Sequence, residues 1–169
     1  MSHPQIQVRE YLNSDLDHFV ENLRQADRDE IKAYEGMGIR EGLKLCIKGN
    51  DELWVITFDN IPAMVYGLKD ATIDLNNDKN TRSGLIWALG TDDVFKYPKS
   101  LIKLSKKIIN NWFLSYDFLF NYVWEGNTKH MKWIERMGFT IFKDSGFTSD
   151  MGEKFLFFVQ YYPQLGEEE

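Results

Sequence analysis

The sequence predicts a single α/β domain: one mixed sheet of about seven strands with about four helices packed on it. Three observations point there. At 169 residues, 43% hydrophobic and 15% aromatic, the chain is long enough for one substantial core and too apolar for disorder. Apolar runs of strand length alternate with helical spacing in the order β, α, α, β, β, β, α, β, α, β, β. The stretch FLFNYVWEGNTKHMKWIERMGF, Phe118–Phe139, reads as a buried strand, a turn, a short helix and a Gly-Phe stop.

Along the chain, Gln5–Leu12 is a first strand with Ile6, Val8 and Tyr11 alternating. Ser14 or Asp15 caps a helix whose apolar face is Leu16, Phe19, Val20 and Leu23. Arg24–Glu35 is charged and helical until Gly36 and Gly38, and Ile39–Lys48 is a short helix carrying Leu43, Leu45 and Ile47. Leu53–Phe58 and Ile61–Leu68 flank Asp59-Asn60, a hairpin signal. Asp70–Ser83, with Asn76, Asn77, Asp78 and Asn80, predicts an exposed, mobile loop, and Leu85–Leu89 a fourth strand.

Pro98 opens a long helix, at the position where a missing N–H costs nothing. Its expected buried face is Leu101, Leu104, Ile108 and Trp112, with Ile109 and Phe113 beside it, against a wet stripe of Lys99, Lys103, Lys106 and Asn110. In Phe118–Trp124 an apolar run is broken only by Asn121, as expected of a strand covered on both faces. Glu125-Gly126-Asn127 is turn chemistry, and Met131, Ile134 and Met137 follow at helical spacing. Gly138 supplies the left-handed stop. Phe139–Phe142 is then a strand, Lys143–Lys154 a polar loop and Phe155–Tyr162 the last strand.

A strand ending in Val123, Asn127 four residues on, and a helix closed by Gly138-Phe139 resemble the C-terminal half of the GNAT (Gcn5-related N-acetyltransferase) superfamily. The string Asn121-Tyr-Val-Trp-Glu-Gly-Asn127, with Trp87 and Thr91-Asp92-Asp93-Val94 upstream, is similar to the podophage internal virion protein A family. The resemblance covers Leu85 to Phe142, about a third of the chain. It implies a GNAT, acyl-CoA N-acyltransferase-like fold over residues 1–169, and two roles. One is a phage protein acting in virion assembly or infection by binding virion or host proteins. The other is an acetyl-CoA-dependent N-acetyltransferase acting on a lysine or another amine. The first is the expectation favoured here.

Composition narrows the classes. A net charge of −6 argues against general nucleic-acid binding or attachment to anionic membranes. No apolar run reaches the roughly 18 residues of a membrane span, and Met1-Ser-His-Pro-Gln is no secretory leader. The expected compartment is therefore a cytoplasm, that of the infected host for a phage protein, with virion association as a further expectation. Cys46 is alone, with no disulfide partner and no zinc spacing, and reads as a small helical residue turned inward. No Ser-His-Asp grouping, P-loop or metal motif occurs. The acidic end Glu167-Glu-Glu169 reads as a solvated tail.

In GNAT enzymes the cofactor's pyrophosphate rests on the start of the helix after the fourth strand, in a loop patterned Arg/Gln-x-x-Gly-x-Gly/Ala. Here that stretch is Val94-Phe-Lys-Tyr-Pro-Lys-Ser-Leu101, with no glycine and with Pro98 in place of a donor. The resemblance thus implies that acetyl-CoA, if held, is held by Lys96, Lys99, Ser100 and Lys103, with Asn127 on the pantetheine arm or simply building the turn. The family's general-acid Tyr position falls on Ile134, which carries no proton. His130, one turn earlier, with Lys129, Lys132 and Arg136 around it, is the candidate proton shuttle. Arg24, Asp27 and Glu30 share a helix face, either as an exposed ion-paired surface or with Glu30 as a base for an amine. Asp92, after the fourth strand, is a further candidate base, or part of the turn before the long helix. Trp133 is the tryptophan expected to be most open to contacts.

Overall fold

The computed structural model describes residues 5–72 and 81–163. Seven strands form one sheet: β1 Ile6–Glu10, β2 Glu52–Phe58, β3 Ile61–Asp70, β4 Ser83–Gly90, β5 Phe118–Trp124, β6 Thr140–Thr148 and β7 Lys154–Tyr161. Their order is β1-β2-β3-β4-β5-β7-β6, and β4–β5 is the parallel pair. Five α-helices are described: α1 Asp15–Asn22, α2 Gln25–Glu35, α3 Ile39–Ile47, α4 Pro98–Trp112 and α5 Thr128–Arg136. No helix among the described residues is long and apolar enough to cross a membrane.

Strand alternation builds a core on each face of the sheet. Val55, Val65 and Leu89 point to one side and join Phe19, Leu23, Ile31 and Leu43 of α1–α3. Ile56, Met64, Tyr66 and Ile86 point to the other, where Leu101, Ile109 and Trp112 of α4 and Ile134 of α5 cover them. Each fully buried large apolar side chain, such as Leu43 or Leu119, contributes about 1.5–3 kcal/mol against exposure. The hairpin at Asp59-Asn60 is as expected. Both residues take positive φ, 50° and 65°, the geometry that matches strand twist in a two-residue turn.

Several boundaries differ from the sequence reading, each for a physical reason. The helix count is five because the N-terminal charged segment breaks at Leu23-Arg24. Leu23 leaves helical geometry to bridge Thr91, and the Arg24 N–H donates to the Gly90 carbonyl. No glycine or proline marks that break; the end of β4 makes it. The buried stripe of α4 is rotated to Leu101, Ser105, Ile109 and Trp112, leaving Leu104 and Ile108 half-buried. Half of the polar Lys143–Lys154 loop is strand: β6 is an exposed edge, so its side chains follow no apolar alternation. A bulge after Phe142 ends at Gly146, whose φ of 138° and close approach to the Phe155 carbonyl exclude a side chain. Leu45 is exposed, unlike Leu43 on the same helix. β3 and β4 extend to Asp70 and back to Ser83; the centre of the expected Asp70–Ser83 loop, residues 73–80, lies outside the described residues. The first four residues and the Glu167–Glu169 tail lie outside them too.

Candidate active site at the strand divergence

The site originates in the sheet. β4 and β5 pair only at Ser83–Leu85 with Phe118–Phe120, and beyond Leu85 the two strands part. Parting strands orphan backbone groups, which must find other partners. Two polar side chains supply them. Asn121 donates from Nδ2 to the Ile86 carbonyl (2.6 Å) and accepts the Tyr122 N–H on Oδ1 (2.7 Å). Glu30 of α2 accepts the Trp124 N–H on Oε1 (2.9 Å). The single polar residue in the β5 run, unexplained by burial alone, is thus the stitch that closes the fork. By the alternation of the β3–β4 ladder, Ala88 turns its backbone groups to the same side as Ile86 and Gly90, onto the open edge of the fork.

Asn127 closes the other end. It is buried, caps α5 by accepting the His130 N–H on Oδ1 (3.3 Å), and donates from Nδ2 to Glu30 Oε2 (2.9 Å). Both oxygens of Glu30 therefore accept a hydrogen bond, and its side chain is half-buried. Burial pushes its pKa up, against the lowering pull of His130, the Trp124 N–H and the Asn127 amide. Asp27, one turn before Glu30, is fully buried. It pairs with Arg24 through both oxygens (2.7 and 3.0 Å) and accepts the Gly90 N–H (2.8 Å). The Arg24–Asp27–Glu30 face is thus no exposed surface; it fastens α2 to the ends of both parting strands.

Three recesses meet here. A groove of about 310 Å³ runs between α4 and α5, walled by Arg24, Phe95, Lys129, Lys132 and Arg136. On the α2–α3 side a cavity of about 210 Å³ holds Glu30, Trp87, Asn121 and Tyr122. A small apolar pocket of about 60 Å³ lies beneath, against Ser105 and Trp112. His130 and Ala88 line all three. Phe95 projects at the groove rim, with Arg24 and Lys129 over its ring at 5.7 and 5.8 Å.

Of the residues singled out in the sequence, Glu30, Asn127 and His130 come together. Lys96, Lys99, Ser100 and Lys103 are exposed on the outer side of the α4 start and line none of these recesses; Lys96 is paired with Asp93 at 3.0 Å. Asp92 is exposed on a single 3₁₀ turn, Asp92–Phe95, capped by Thr91. That turn spends its own donors: the N–H groups of Asp93, Val94 and Lys96 all bond back within it. Those three N–H groups are therefore not available to a phosphate. Trp133 is half-buried and walls the groove; Ile134 is buried beneath it. Cys46 sits on α3 at the cavity with burial pushing its thiol up to about 11, which makes it a poor nucleophile at neutral pH. Among the described residues no cluster of His, Cys, Asp and Glu is placed to hold a metal. The sequence reading missed Asn121 as a site builder and had Arg24 only as a member of the face shared with Asp27 and Glu30. The one polar position in an apolar strand was the available signal for the first.

No protein-family model and no curated protein sequence matches the chain. Solved structures do. An N-acetyltransferase from Staphylococcus aureus Mu50 matches with TM-score 0.61 and 11% identity, over 94% of this chain and 98% of that one. Aminoglycoside acetyltransferase AAC(6')-Ib in complex with coenzyme A and kanamycin matches with TM-score 0.62 and 15% identity, over 93% and 95%. The same enzyme with paromomycin and acetyl-CoA matches with TM-score 0.63 and 15% identity, over 92% and 93%. A likeness this complete in length and this slight in sequence establishes architecture: the chain has the fold of the GNAT acetyltransferases.

Proposed function

We propose that this protein binds acetyl-CoA in the α4–α5 groove and transfers the acetyl group to a primary amine that reaches His130 from the opposite cavity. The observation that carries this reading is the position of His130, at the one place where the basic groove and the α2–α3 cavity meet across the open fork. The similar structures with coenzyme A or acetyl-CoA support the choice of ligand. The groove fits an anionic ligand through side chains: Lys132 and Arg136 face it with no carboxylate in ion-pair range among the described residues. Ala88 gives the fork an open backbone edge for an extended amide-bearing arm.

Acetyl-CoA supplies the activated acetyl group as a thioester. Lys132 and Arg136 neutralise its phosphates, replacing the spent backbone donors before α4. The imidazole of His130 takes the proton that the attacking amine loses and returns it to the departing thiol, so an N–C bond forms as the C–S bond breaks. Glu30, held by the Trp124 N–H, fixes Asn127, whose side chain caps the helix turn that carries His130. Calorimetric titration with acetyl-CoA, with desulfo-CoA and ATP as controls, is the test. Micromolar binding confined to the CoA compounds is the expected result, and no heat at high ligand concentration would overturn the assignment.

A second reading rests on a different observation. The β5–β7–β6 face carries Tyr122, Phe142, Phe147 and Tyr161, all exposed and linked by ring contacts with Phe157, Phe155 and Phe118. Such a strip suits protein docking, and with the NYVWEGN string it supports a role in phage virion assembly on this fold. On that reading a phage lacking the gene yields defective particles; normal particle yield with altered acetylation of host proteins would leave the enzyme alone.

A further inference from the structure

The acceptor side of the site has a chemical character of its own. Resting on the acetyl-transfer reading above, we infer that the acceptor is a monoamine on an apolar stem or a single ring, and not a polycation of the aminoglycoside kind. Size comes first. The α2–α3 cavity holds about 210 Å³, below the roughly 300–1,000 Å³ of sites for drug-sized ligands, so one ring or one alkyl chain fills it. Its walls come second. Trp87 lines it with its indole N–H already donated to Asn50 Oδ1 (2.8 Å), so it presents an apolar face. Tyr34 and Phe155 pack edge-to-face at 5.8 Å, and Leu45 stands 51% exposed at the rim.

Charge decides between ligand classes. Glu30 is the one carboxylate in the lining, and both its oxygens are taken by Trp124 and Asn127. As a single carboxylate it balances the charge of one ammonium and not of several. A polycation would bring further ammonium groups against Trp87 and Leu45, with no second carboxylate in the lining to balance them. One amine at the end of an apolar stem leaves no polar group unmatched. A free arylalkylamine and the side chain of a protein lysine share that chemistry.

The experiment uses the full chain in two stages. Phenethylamine, Nα-acetyl-lysine methylamide, spermidine and kanamycin are first titrated without acetyl-CoA, which tests the cavity independently of transfer. Phenethylamine or the lysine derivative binding about tenfold tighter than either polycation, a difference of about 1.4 kcal/mol, is the expected outcome. Which of those two binds better distinguishes a free amine from a protein side chain. Equal or tighter binding of spermidine or kanamycin overturns the inference, as does no binding of either monoamine. Turnover with acetyl-CoA, read as thiol release, is then measured. Monoamine binding with no acetyl-CoA binding would sink the transfer reading and leave the cavity's preference standing. Leu45→Asp, a surface change that the fold tolerates, adds an acceptor at the rim. It is expected to shift preference toward spermidine by about tenfold, and an unmoved preference would place the amine elsewhere and overturn the inference.

Discussion

Helices α4 and α5 are both rich in cations, and the protein puts those cations to different use. On α4, Lys99, Lys103, Lys106 and Lys107 are all exposed and line none of the three recesses. On α5, Lys129, Lys132 and Arg136 stand one turn apart and wall the groove beside His130. The helices differ in what lies opposite them. α4 lays its apolar stripe on the sheet and turns its lysines to water, where ion pairing is worth little. α5 starts at Asn127, at the fork itself, so its polar face looks across the opening instead of away from it. Charge on a helix acquires a role from what it faces.

That contrast can be broken experimentally, with the largest effect expected at the first turn of α5. His130→Ala should lower kcat for acetyl transfer by about 10²–10⁴-fold, with acetyl-CoA affinity nearly unchanged, as for loss of an acid–base group. A loss confined to KM would make His130 a binding residue. Next in size is the paired reversal Lys132→Glu with Arg136→Glu. Two charge-assisted contacts at about 1.5–3 kcal/mol each weaken acetyl-CoA binding by about a hundredfold or more in calorimetry.

Glu30 sharpens the comparison through pH. Burial raises its pKa, so between the ordinary value of 4.5 and the raised one the folded protein binds a proton that the unfolded chain has lost. Its contribution is complete below 4.5 and is lost as pH rises through the raised value, so Tm should fall with pH in that window. Glu30→Gln should remove that slope in differential scanning calorimetry; parallel Tm–pH curves for the two proteins would show that Glu30 titrates normally. The smallest effect belongs to α4: Lys99→Glu with Lys103→Glu should change acetyl-CoA affinity by no more than about threefold, the scale of exposed charges. A loss matching the α5 pair would move the phosphates to the start of α4 and reverse the contrast.

Much of this architecture was legible in the residues. The Asp59-Asn60 turn, Pro98 at the start of α4 and the Gly138 stop carry local chemistry that admits few alternatives. Gly138 takes φ of 98°, and the Phe139 and Gly138 N–H groups return to the Ile134 and Glu135 carbonyls, the end that Gly-Phe announces. Glu30, Asn127 and His130 were legible as candidates, each a polar group at a marked place. Their meeting was not, because Glu30 is separated from Asn127 by 97 positions and only the packing of α2 against β5 joins them. The lysines at the α4 start misled for the same reason: sequence spacing says which residues share a helix face, and is silent on what that face opposes.

By itself, then, the sequence determined most of the elements, the single mixed sheet and the lack of glycine before α4. All of these follow from periodicity and from the φ preferences of single residues. Only the tertiary structure decided that the strands part after Leu85, that Asn121 and Glu30 satisfy the backbone so exposed, and that His130 stands between a basic groove and an apolar cavity. Hydrogen-bond demand at a fork is a property of two strands together, and no local pattern in either one carries it.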